Sequence, residues 1–284
     1  MHLEERKLKE IEHSRKRRNV LRGFERHSDT NMLEQAKDLE AAILDKDAFN
    51  YHFSNMKFYS VTSLSEEYQH DWLKNKCKPG LKILDFGCGS GENGIYAAQQ
   101  GADTIGIDIS PDGVANANFN AKNIGVSDHC KFMVMDGENL DFPDNSFDLG
   151  VEYGALHHVD LDKSMKELSR VLKPNAEMIC VESLRHNPLI HLYRKFTPHL
   201  RTEWEVEHIL GVEDLNTVRK YFKNVDVKFF HLTVLLAVPF RKTPIFKSLR
   251  IFLDRIDNKL LKSQFMGKYG WIMIFIARNP KKQG

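Results

Sequence analysis

The segment ILDFGCGSGENG, residues 83–94, constrains the fold of this chain more than any other stretch. Its apolar start predicts a buried strand, and the residues after the glycines predict the first turn of a helix. Glycines between strand and helix let backbone N–H groups approach a ligand at the positive end of that helix. The glycines of this loop are Gly87, Gly89 and Gly91. This order predicts an α/β fold whose ligand site lies at the carboxyl end of the strand.

Short β-prone runs alternate with helical runs from residue 81 onward. We predict strands at 81–86, 104–107, 131–135, 147–152, 178–182, 225–232 and from 271. We predict helices at 92–100, 111–123, 161–172 and 214–222. Ser110 is the expected N-cap of the second helix, with Pro111 at its first position. Such alternation indicates a doubly wound, Rossmann-like sheet.

Two segments interrupt or precede this pattern. The polar, helix-prone residues 1–80 predict an N-terminal helical cap on a ligand-binding domain at 81–284. Residues 184–212 predict a lid-like insertion, and its polar residues form either an anion-binding lid or a solvated pair of surface helices. Those polar residues are His186, His191, Tyr193, Arg194, His199 and Arg201.

Composition excludes several classes of protein. The 284 residues carry 41 basic and 39 acidic side chains, a net charge of +2, which lacks the basic bias of a generic nucleic-acid binder. The four cysteines form no C-x-x-C pair and are expected to be reduced core residues rather than zinc ligands. The longest apolar run, LTVLLAVPF, is far shorter than the roughly 20 residues of a membrane-spanning helix. A charged N-terminus without a secretory signal favours the cytoplasm.

The glycine loop fits two ligand classes. Counted from Gly89, GSGENG matches the dinucleotide pattern G-x-G-x-x-G, but this frame leaves DFGC unexplained. Counted from Asp85, DFGCGSG matches acid-x-G-x-G-x-G of enzymes that bind S-adenosylmethionine, and every residue is used. Asp85 then holds the loop or receives the ammonium group of the cofactor. Asp108, 21 residues after Gly87, is placed to accept bonds from ribose hydroxyls, as it would be for NAD.

Four motifs extend the second interpretation: ILDFGCGSG, GIDIS, MDGENLDFPDNSFDLGVEYGALHHV and ELSRVLKPNAEMICVES. With them the chain resembles class I S-adenosylmethionine-dependent methyltransferases, especially the ubiquinone and menaquinone biosynthesis C-methyltransferases. The resemblance implies a seven-stranded sheet with the last strand antiparallel. It implies that Asp136 meets the adenine amino group while Gly137 and Glu138 line the ring. The implied cofactor-binding residues are Asp85, Gly87, Cys88, Gly89, Gly91, Asp108, Ile109, Asp136, Gly137 and Glu138.

Methyl transfer from a sulfonium is an in-line displacement that needs alignment and, for some acceptors, a base. Glu152, His157 and His158 are the candidate catalytic residues, because the loop after the fourth strand should face the methyl group. Alternatively, the two histidines pack and cap the turn before the next helix. No metal site is predicted. The EYGA sequence of this loop also differs from the Asn/Asp-Pro-Pro-aromatic motif of enzymes that methylate DNA amines.

Residues 241–262 contain seven basic and two acidic side chains, a local net charge of +5. Apolar residues recur at helical spacing over 245–261, which predicts a basic amphipathic helix. Such a helix either lies on an anionic membrane or packs on the core.

We therefore predict an S-adenosylmethionine-dependent methyltransferase that acts on a small-molecule or lipid-like acceptor, without nucleic acid and with peripheral membrane contact as an open alternative. A non-catalytic module that binds the same cofactor and a nicotinamide-dependent oxidoreductase are the alternatives. The sequence leaves the acceptor atom and the oligomeric state open.

Overall fold

A computed structural model describes residues 4–18 and 46–282. Within these residues a seven-stranded sheet has the strand order β3-β2-β1-β4-β5-β7-β6. The strands are β1 Lys82–Phe86, β2 Asp103–Asp108, β3 Cys130–Val134, β4 Phe147–Tyr153, β5 Leu172–Ser183, β6 Phe222–Phe230 and β7 Ile272–Pro280. Only β7 is antiparallel to its neighbours. The predicted Rossmann-like sheet with an antiparallel last strand is confirmed.

Helices precede, connect and cover these strands. In the described residues they are α1 Glu5–Arg18, α2 Lys46–Phe53, α3 Ser63–Lys76, α4 Glu92–Gln99, α5 Pro111–Ile124, α6 Leu161–Val171, α7 Pro188–Phe196, α8 Glu203–His208, α9 Leu215–Tyr221, α10 Phe246–Leu260 and α11 Gln264–Gly267. Short 3₁₀ helices lie at Ser54–Val61, Leu156–His158, Pro198–Leu200, Val212–Asp214 and Val234–Phe240. The predicted cap at 1–80 is described only in part, because residues 1–3 and 19–45 lie outside the described residues.

Both faces of the central strands are buried, so each strand contributes to two cores. Ile83 faces a cluster that includes Trp72 and Trp271, while its neighbour Leu84 faces the cluster that holds Met165 of α6. Successive side chains of a strand point to opposite faces of the sheet, and both faces are covered by helices here. The apolar runs of the sequence therefore build a three-layer fold.

The helix after β2 begins where the sequence predicts. The Ser110 hydroxyl accepts a hydrogen bond from the Gly113 N–H at 3.2 Å, and Pro111 occupies the first turn. Strand β5, by contrast, begins six residues before the predicted 178. Its pairing with β4 jumps from Leu172 opposite Phe147 to Glu177 opposite Leu149, so an irregularity follows the first pair. Continuous pairing starts near the predicted position, which explains the difference.

The strand order places the ligand site. β1 pairs with β2 on one side and with β4 on the other, so the chain reverses its direction of winding between β1 and β4. In open α/β sheets ligands bind outside the carboxyl ends of the strands at this switch point. The glycine loop follows β1, and the EYGA loop follows β4, so both candidate loops lie at this crevice.

Candidate active site

The loop between β1 and α4 turns on glycines in the left-handed backbone region. Gly87 has φ +66°, and a Cβ atom there would stand 2.2 Å from the Ala155 Cβ. Gly89 has φ +55°, yet no atom lies within 4 Å of the position its Cβ would take. Between them, Cys88 is buried and donates its N–H to the Ile107 carbonyl at 2.8 Å. The open side of Gly89 leaves its backbone accessible to a ligand.

Asp85, the acidic residue of β1, connects the strand to the helix that follows the loop. Its Oδ2 accepts a hydrogen bond from the Gly94 N–H at 2.9 Å. Its Oδ1 is buried and has no hydrogen-bond partner among the described residues. Burial raises the pKa of Asp85 to about 8, against the opposing effect of the Gly94 N–H. The carboxyl group therefore holds the loop and keeps one unsatisfied oxygen beside it.

Asp108 ends β2 and holds the same loop from the other side. Its Oδ2 accepts from the Gly89 N–H at 2.9 Å, and its Oδ1 accepts from the Ser110 N–H at 2.8 Å. Ile109 follows it and is half-buried at the same edge of the sheet. Because each carboxylate oxygen has two lone pairs, both oxygens of Asp108 keep acceptor capacity for a ligand hydroxyl.

Asp136, Gly137 and Glu138 form the third part of this edge, after β3. Asp136 Oδ1 accepts from the Glu138 N–H at 3.0 Å, and Glu138 Oε1 accepts from the Asp160 N–H at 2.8 Å. A Cβ atom on Gly137 would stand 2.5 Å from the Phe86 ring. The acidic turn is therefore packed directly against the end of β1.

The N-terminal helix α1 reaches across these acids. Lys7 Nζ lies 2.7 Å from Asp136 Oδ2 and 2.9 Å from Glu138 Oε2. Arg6 Nη2 donates to both Glu138 oxygens at 2.5 and 2.6 Å. Burial opposes ionisation of Glu138, but its hydrogen bonds to Arg6, the Asp160 N–H and Lys7 lower its pKa on balance. The sequence predicted a cap here but gave no sign that its cations pair with the predicted adenine-binding acids.

At the ends of β4 and β5, two buried carboxyl groups meet. Glu152 Oε1 accepts from the Ala155 N–H at 2.5 Å and the Leu156 N–H at 3.3 Å, and Glu182 Oε1 accepts from the same Leu156 N–H at 2.7 Å. Burial and then the charge of Glu182 raise the pKa of Glu152 well above its usual value. Of the two carboxyl groups, Glu152 therefore holds a proton more tightly than Glu182 does.

Glu182 orients His157. The His157 Nδ1 lies 2.6 Å from Glu182 Oε2, and its Nε2 lies 4.0 Å from Glu205 Oε1 of α8. Burial opposes ionisation of Glu182, but its interaction with His157 and its hydrogen bonds lower the pKa of this carboxyl on balance. A carboxylate on one ring nitrogen fixes the tautomer and leaves the other nitrogen available for proton transfer.

His158 has a different partner. Its Nδ1 lies 3.0 Å from Glu10 Oε2 of α1, and Glu10 also accepts a hydrogen bond from the Thr202 hydroxyl. Burial alone would lower the pKa of His158, but Glu10 and the nearby carboxylates raise it to about 9. At neutral pH this ring is therefore a cation that fastens α1 to the loop after β4.

A cavity of about 260 Å³ lies beside this loop, close to the lower end of the range for small-molecule sites. Its walls come from the 3₁₀ segment Ser54–Val61, the ends of β4 and β5, the insertion and the start of β7. The lining combines aromatic and charged side chains, among them Phe58, Tyr59, Trp271, His157, Arg194 and Arg201. Among the described residues, no group of three His, Cys, Asp or Glu side chains is arranged to hold a metal ion.

Comparison with known proteins agrees with this geometry. Residues 84–180 match the sequence model of a family described as a methyltransferase domain. A sterol 4-C-methyltransferase of Caenorhabditis elegans is 31% identical over 173 residues, which cover 59% of this chain and 51% of that protein. A ubiquinone/menaquinone biosynthesis C-methyltransferase of Rickettsia massiliae is 34% identical over 107 residues, 35% of this chain and 43% of that protein.

Residues 84–180 form a class I S-adenosylmethionine-dependent methyltransferase domain. The chain spans about half the length of the curated relatives named above. Among solved structures, geranyl diphosphate C-methyltransferase from Streptomyces coelicolor, in complex with Mg²⁺, geranyl diphosphate and S-adenosyl-L-homocysteine, has a TM-score of 0.59. At 16% identity, with 98% of this chain and 100% of that chain covered, it shows the fold.

The methyltransferase domain gathers the predicted site residues in two groups. The predicted cofactor residues line the carboxyl ends of β1, β2 and β3, and Glu152, His157 and His158 follow β4. The sequence did not single out Glu182, Glu205 or Glu10, which hold the two histidines. Glu182 ends an apolar strand, which is a recognisable position for a site residue in a parallel sheet. Glu10 and Glu205 lie in segments whose position could not be read from periodicity.

Proposed function

We propose that this protein transfers the methyl group of S-adenosylmethionine to a small-molecule or lipid-like acceptor held in the cavity after β4. One observation carries the proposal: the open glycine loop after β1 and the Glu182–His157 pair after β5 and β4 lie at the same switch point of the sheet. The bound cofactor supplies a methyl group already activated by its sulfonium charge, so the protein supplies alignment, water exclusion and, where needed, a base.

The residues around the glycine loop fit this cofactor. Gly89 leaves open space where a side chain would stand, and the buried Oδ1 of Asp85 has no partner in the described part of the chain. We assign the ribose hydroxyls to Asp108, whose two oxygens are already oriented by backbone N–H groups. Asp136 and Glu138 are assigned to the adenine edge. Among nucleotide-like ligands, a group with an ammonium, a diol and an amine matches these three acidic positions best.

We assign proton removal to His157. Glu182 fixes its Nδ1, and the residue lines the cavity. Glu152 is buried and accepts hydrogen bonds from the Ala155 and Leu156 N–H groups, so its assigned role is to hold the loop. His158 is already a cation at neutral pH, so its assigned role is to hold α1 through Glu10.

Titration calorimetry with S-adenosylhomocysteine, S-adenosylmethionine and NAD tests the cofactor. The two adenosyl ligands should bind and NAD should not; the reverse would favour a nicotinamide oxidoreductase. Incubation of the protein with methyl-labelled S-adenosylmethionine and a small-molecule or lipid extract then tests transfer. Binding without any transferred label would identify a non-catalytic binding module.

The base is tested by matched substitutions of the adjacent histidines. His157→Gln should lower the rate of label transfer by roughly 100-fold or more, the usual contribution of a general base, without changing affinity for S-adenosylhomocysteine. His158→Gln should lower the rate by less than about tenfold, because that ring is assigned a structural role. Equal losses in the two variants, or no loss in His157→Gln, would contradict the assignment.

Membrane contact is a second candidate property, and exposed apolar side chains favour it. Leu253 of α10 is 8% exposed and packs on the core, but Phe252 beside it is 59% exposed. Ile245 at the start of this helix and Leu236 and Phe240 of the adjoining 3₁₀ helix are also exposed. α10 therefore has a core face and a second apolar surface flanked by cations. No described helix is long and apolar enough to cross a bilayer.

Vesicle sedimentation tests this contact. The variant changes to Gln three exposed cations of the α10 surface: Lys247, Arg255 and Lys259. Arg250 is left unchanged because it donates to the Ser63 hydroxyl and lies 3.9 Å from Asp254. A control variant changes three exposed lysines elsewhere: Lys78, Lys122 and Lys131.

Wild type and the control should sediment with anionic vesicles at low salt and less at physiological salt, where charges are screened beyond about 8 Å. The α10 variant should stay in the supernatant. If both variants lose sedimentation equally, the effect of charge is non-specific, and if the α10 variant sediments like wild type, these cations do not carry the contact. If wild type stays in the supernatant under every condition, α10 is a core helix only.

A further inference from the structure

Arg194 stands out among the charged groups that line the cavity. It projects from α7, where its Nη1 donates to the Leu184 carbonyl at 2.9 Å and its Nη2 donates to the Ser183 hydroxyl. Both partners are neutral, and within the described residues no carboxylate forms an ion pair with this guanidinium. A half-buried cation without a counter-ion is costly unless an anion reaches it.

The other ionisable groups at this cavity are paired. His157 meets Glu182, and His158 meets Glu10. Arg201, the second arginine of the lining, lies 3.4 Å from Glu205 in the following turn. Among the described lining residues Arg194 is therefore the cation without an acidic partner.

The surroundings of Arg194 disfavour its positive charge. Burial, followed by the positive charge of Arg201, lowers the pKa of Arg194 to about 10, and the charges of Glu205 and Glu182 offset this only in part. The guanidinium thus remains charged at neutral pH in a site that disfavours the charge. An incoming anion would remove that penalty, and a planar guanidinium suits carboxylate and phosphate oxygens particularly well.

The rest of the cavity is suited to an apolar body. Phe58, Tyr59 and Trp271 form a cluster of edge-on aromatic contacts with ring centroids 5.5 and 6.0 Å apart. Buried Ile190 and Val181 lie in the same wall. A ligand that enters here therefore meets an apolar surface and one unpaired cation.

We propose that the methyl acceptor is an amphiphilic anion whose carboxylate or phosphate group pairs with Arg194 while its apolar part packs on Phe58, Tyr59 and Trp271. This inference rests on the proposed function, because it names the chemical class that the same cavity accepts. Arg201 contributes less, since Glu205 already neutralises it. Arg194 acts as a specificity-determining residue, and the chemistry remains with the loop after β4.

The probes are octanoate, octyl phosphate and the neutral 1-octanol, which share a chain length and differ in head group. Binding is followed by tryptophan fluorescence, because Trp271 lines the cavity and its Nε1 donates to Ser183 Oγ at 3.1 Å, the same hydroxyl that Arg194 contacts. Titrations run with and without saturating S-adenosylhomocysteine, so that binding of the anions at the cofactor loop is detected. Affinity for S-adenosylhomocysteine is measured separately for every variant.

Arg194→Gln should weaken binding of at least one anionic probe tenfold or more and leave octanol binding unchanged. Arg194→Lys, which keeps the charge but loses the planar guanidinium, should lose less affinity than Arg194→Gln, and Arg219→Gln on the exposed side of α9 should match wild type. The probe that binds more tightly identifies carboxylate or phosphate as the head group. If Arg194→Lys keeps more affinity than Arg194→Gln, the loss in Arg194→Gln comes from the missing charge and not from the missing hydrogen bond to the Leu184 carbonyl.

Octanol binding as tightly as both anions, or anion binding unaffected in Arg194→Gln, would overturn the proposal. So would the absence of binding by either anion to wild type. If wild type still binds S-adenosylhomocysteine in these cases, the proposed methyltransferase function stands. If wild type does not bind S-adenosylhomocysteine, the proposed function fails whatever the anions do.

Discussion

Replacing Asp85 by Asn should make the protein more stable than wild type at neutral pH, by an amount that grows with pH. Asp85 is buried, one of its oxygens has no partner in the described residues, and its pKa is raised to about 8. Asn resembles the protonated carboxyl in shape and charge, and its carbonyl oxygen can still accept from the Gly94 N–H. The substitution therefore removes a charge that the fold disfavours while keeping the bond that holds the loop.

The sign and size follow from proton linkage. The folded-state pKa of about 8 lies above the ordinary value of 3.8, so the folded protein binds the extra proton between these limits. The stability of the wild-type protein is therefore not reduced by this group below pH 3.8, and it falls as the pH rises from 3.8 to about 8. Each pH unit costs about 1.4 kcal/mol, so from pH 5 to pH 7.5 wild type should lose about 3 kcal/mol relative to Asp85→Asn. This loss is large, because the free energy of unfolding of a typical domain is only about 5–15 kcal/mol.

Urea denaturation of both proteins at pH 5, 6, 7 and 8, without cofactor, measures this difference. The gap in unfolding free energy should widen up to about pH 8 and then level off, with m-values unchanged. A gap that is independent of pH would refute the assigned protonation state of Asp85.

The same variant separates the two roles predicted for this residue. If Asp85 receives the ammonium group of the cofactor, binding of S-adenosylhomocysteine at pH 7 should ionise it and release close to one proton. Calorimetry in buffers with different ionisation enthalpies would detect that proton in wild type and none in Asp85→Asn. Proton release that is the same in both proteins would restrict Asp85 to holding the loop.

Two further predictions concern the acids after β2 and β3, and calorimetry with S-adenosylhomocysteine measures both. Asp108→Ala should weaken binding at least tenfold, since charge-assisted bonds contribute roughly 1.5–3 kcal/mol each. It should also lower the melting temperature, because the Gly89 N–H loses its acceptor. Unchanged affinity would remove Asp108 from the site. Asp136→Asn should weaken binding only a few-fold, because the amide oxygen can still accept one hydrogen bond although the ion pair with Lys7 is lost. A loss of affinity as large as that of Asp108→Ala would contradict this ranking.

The central sheet could be predicted because local signals and long-range packing agree there. The glycine loop after β1, the Ser110 cap and the alternating apolar runs each specify a short element, and the parallel topology fixes their order. The candidate site residues follow from the same rule, because they lie at or just after the carboxyl ends of the strands. Glu152 and His157 were selected as candidates in this way, whereas Glu182 was seen only as the end of a strand.

The contacts of α1 could not be predicted from the sequence. Its hydrophobic periodicity is weak, and its position over β3 depends on Arg6 and Lys7 meeting Glu138 and Asp136, which are about 130 residues away in sequence. Ion pairs between residues so far apart in sequence leave no periodic signal. The direction of Phe252 on α10 was similarly open, because periodicity identifies an amphipathic helix but does not say whether a second face is covered.

The position of the proposed acceptor cavity explains why likeness to known enzymes identifies the cofactor chemistry more readily than the acceptor. The family match covers residues 84–180, which contain the glycine loop, Asp108, Asp136 and His157. The side chains that give the cavity its shape and charge, including Tyr59, Arg194 and Trp271, come from outside that range. One arrangement of cofactor loop and base can therefore serve different acceptors through changes in the segments that surround the cavity. It follows that a change of acceptor should be sought first in substitutions of Tyr59 and Arg194, and only afterwards in the loop that follows β4.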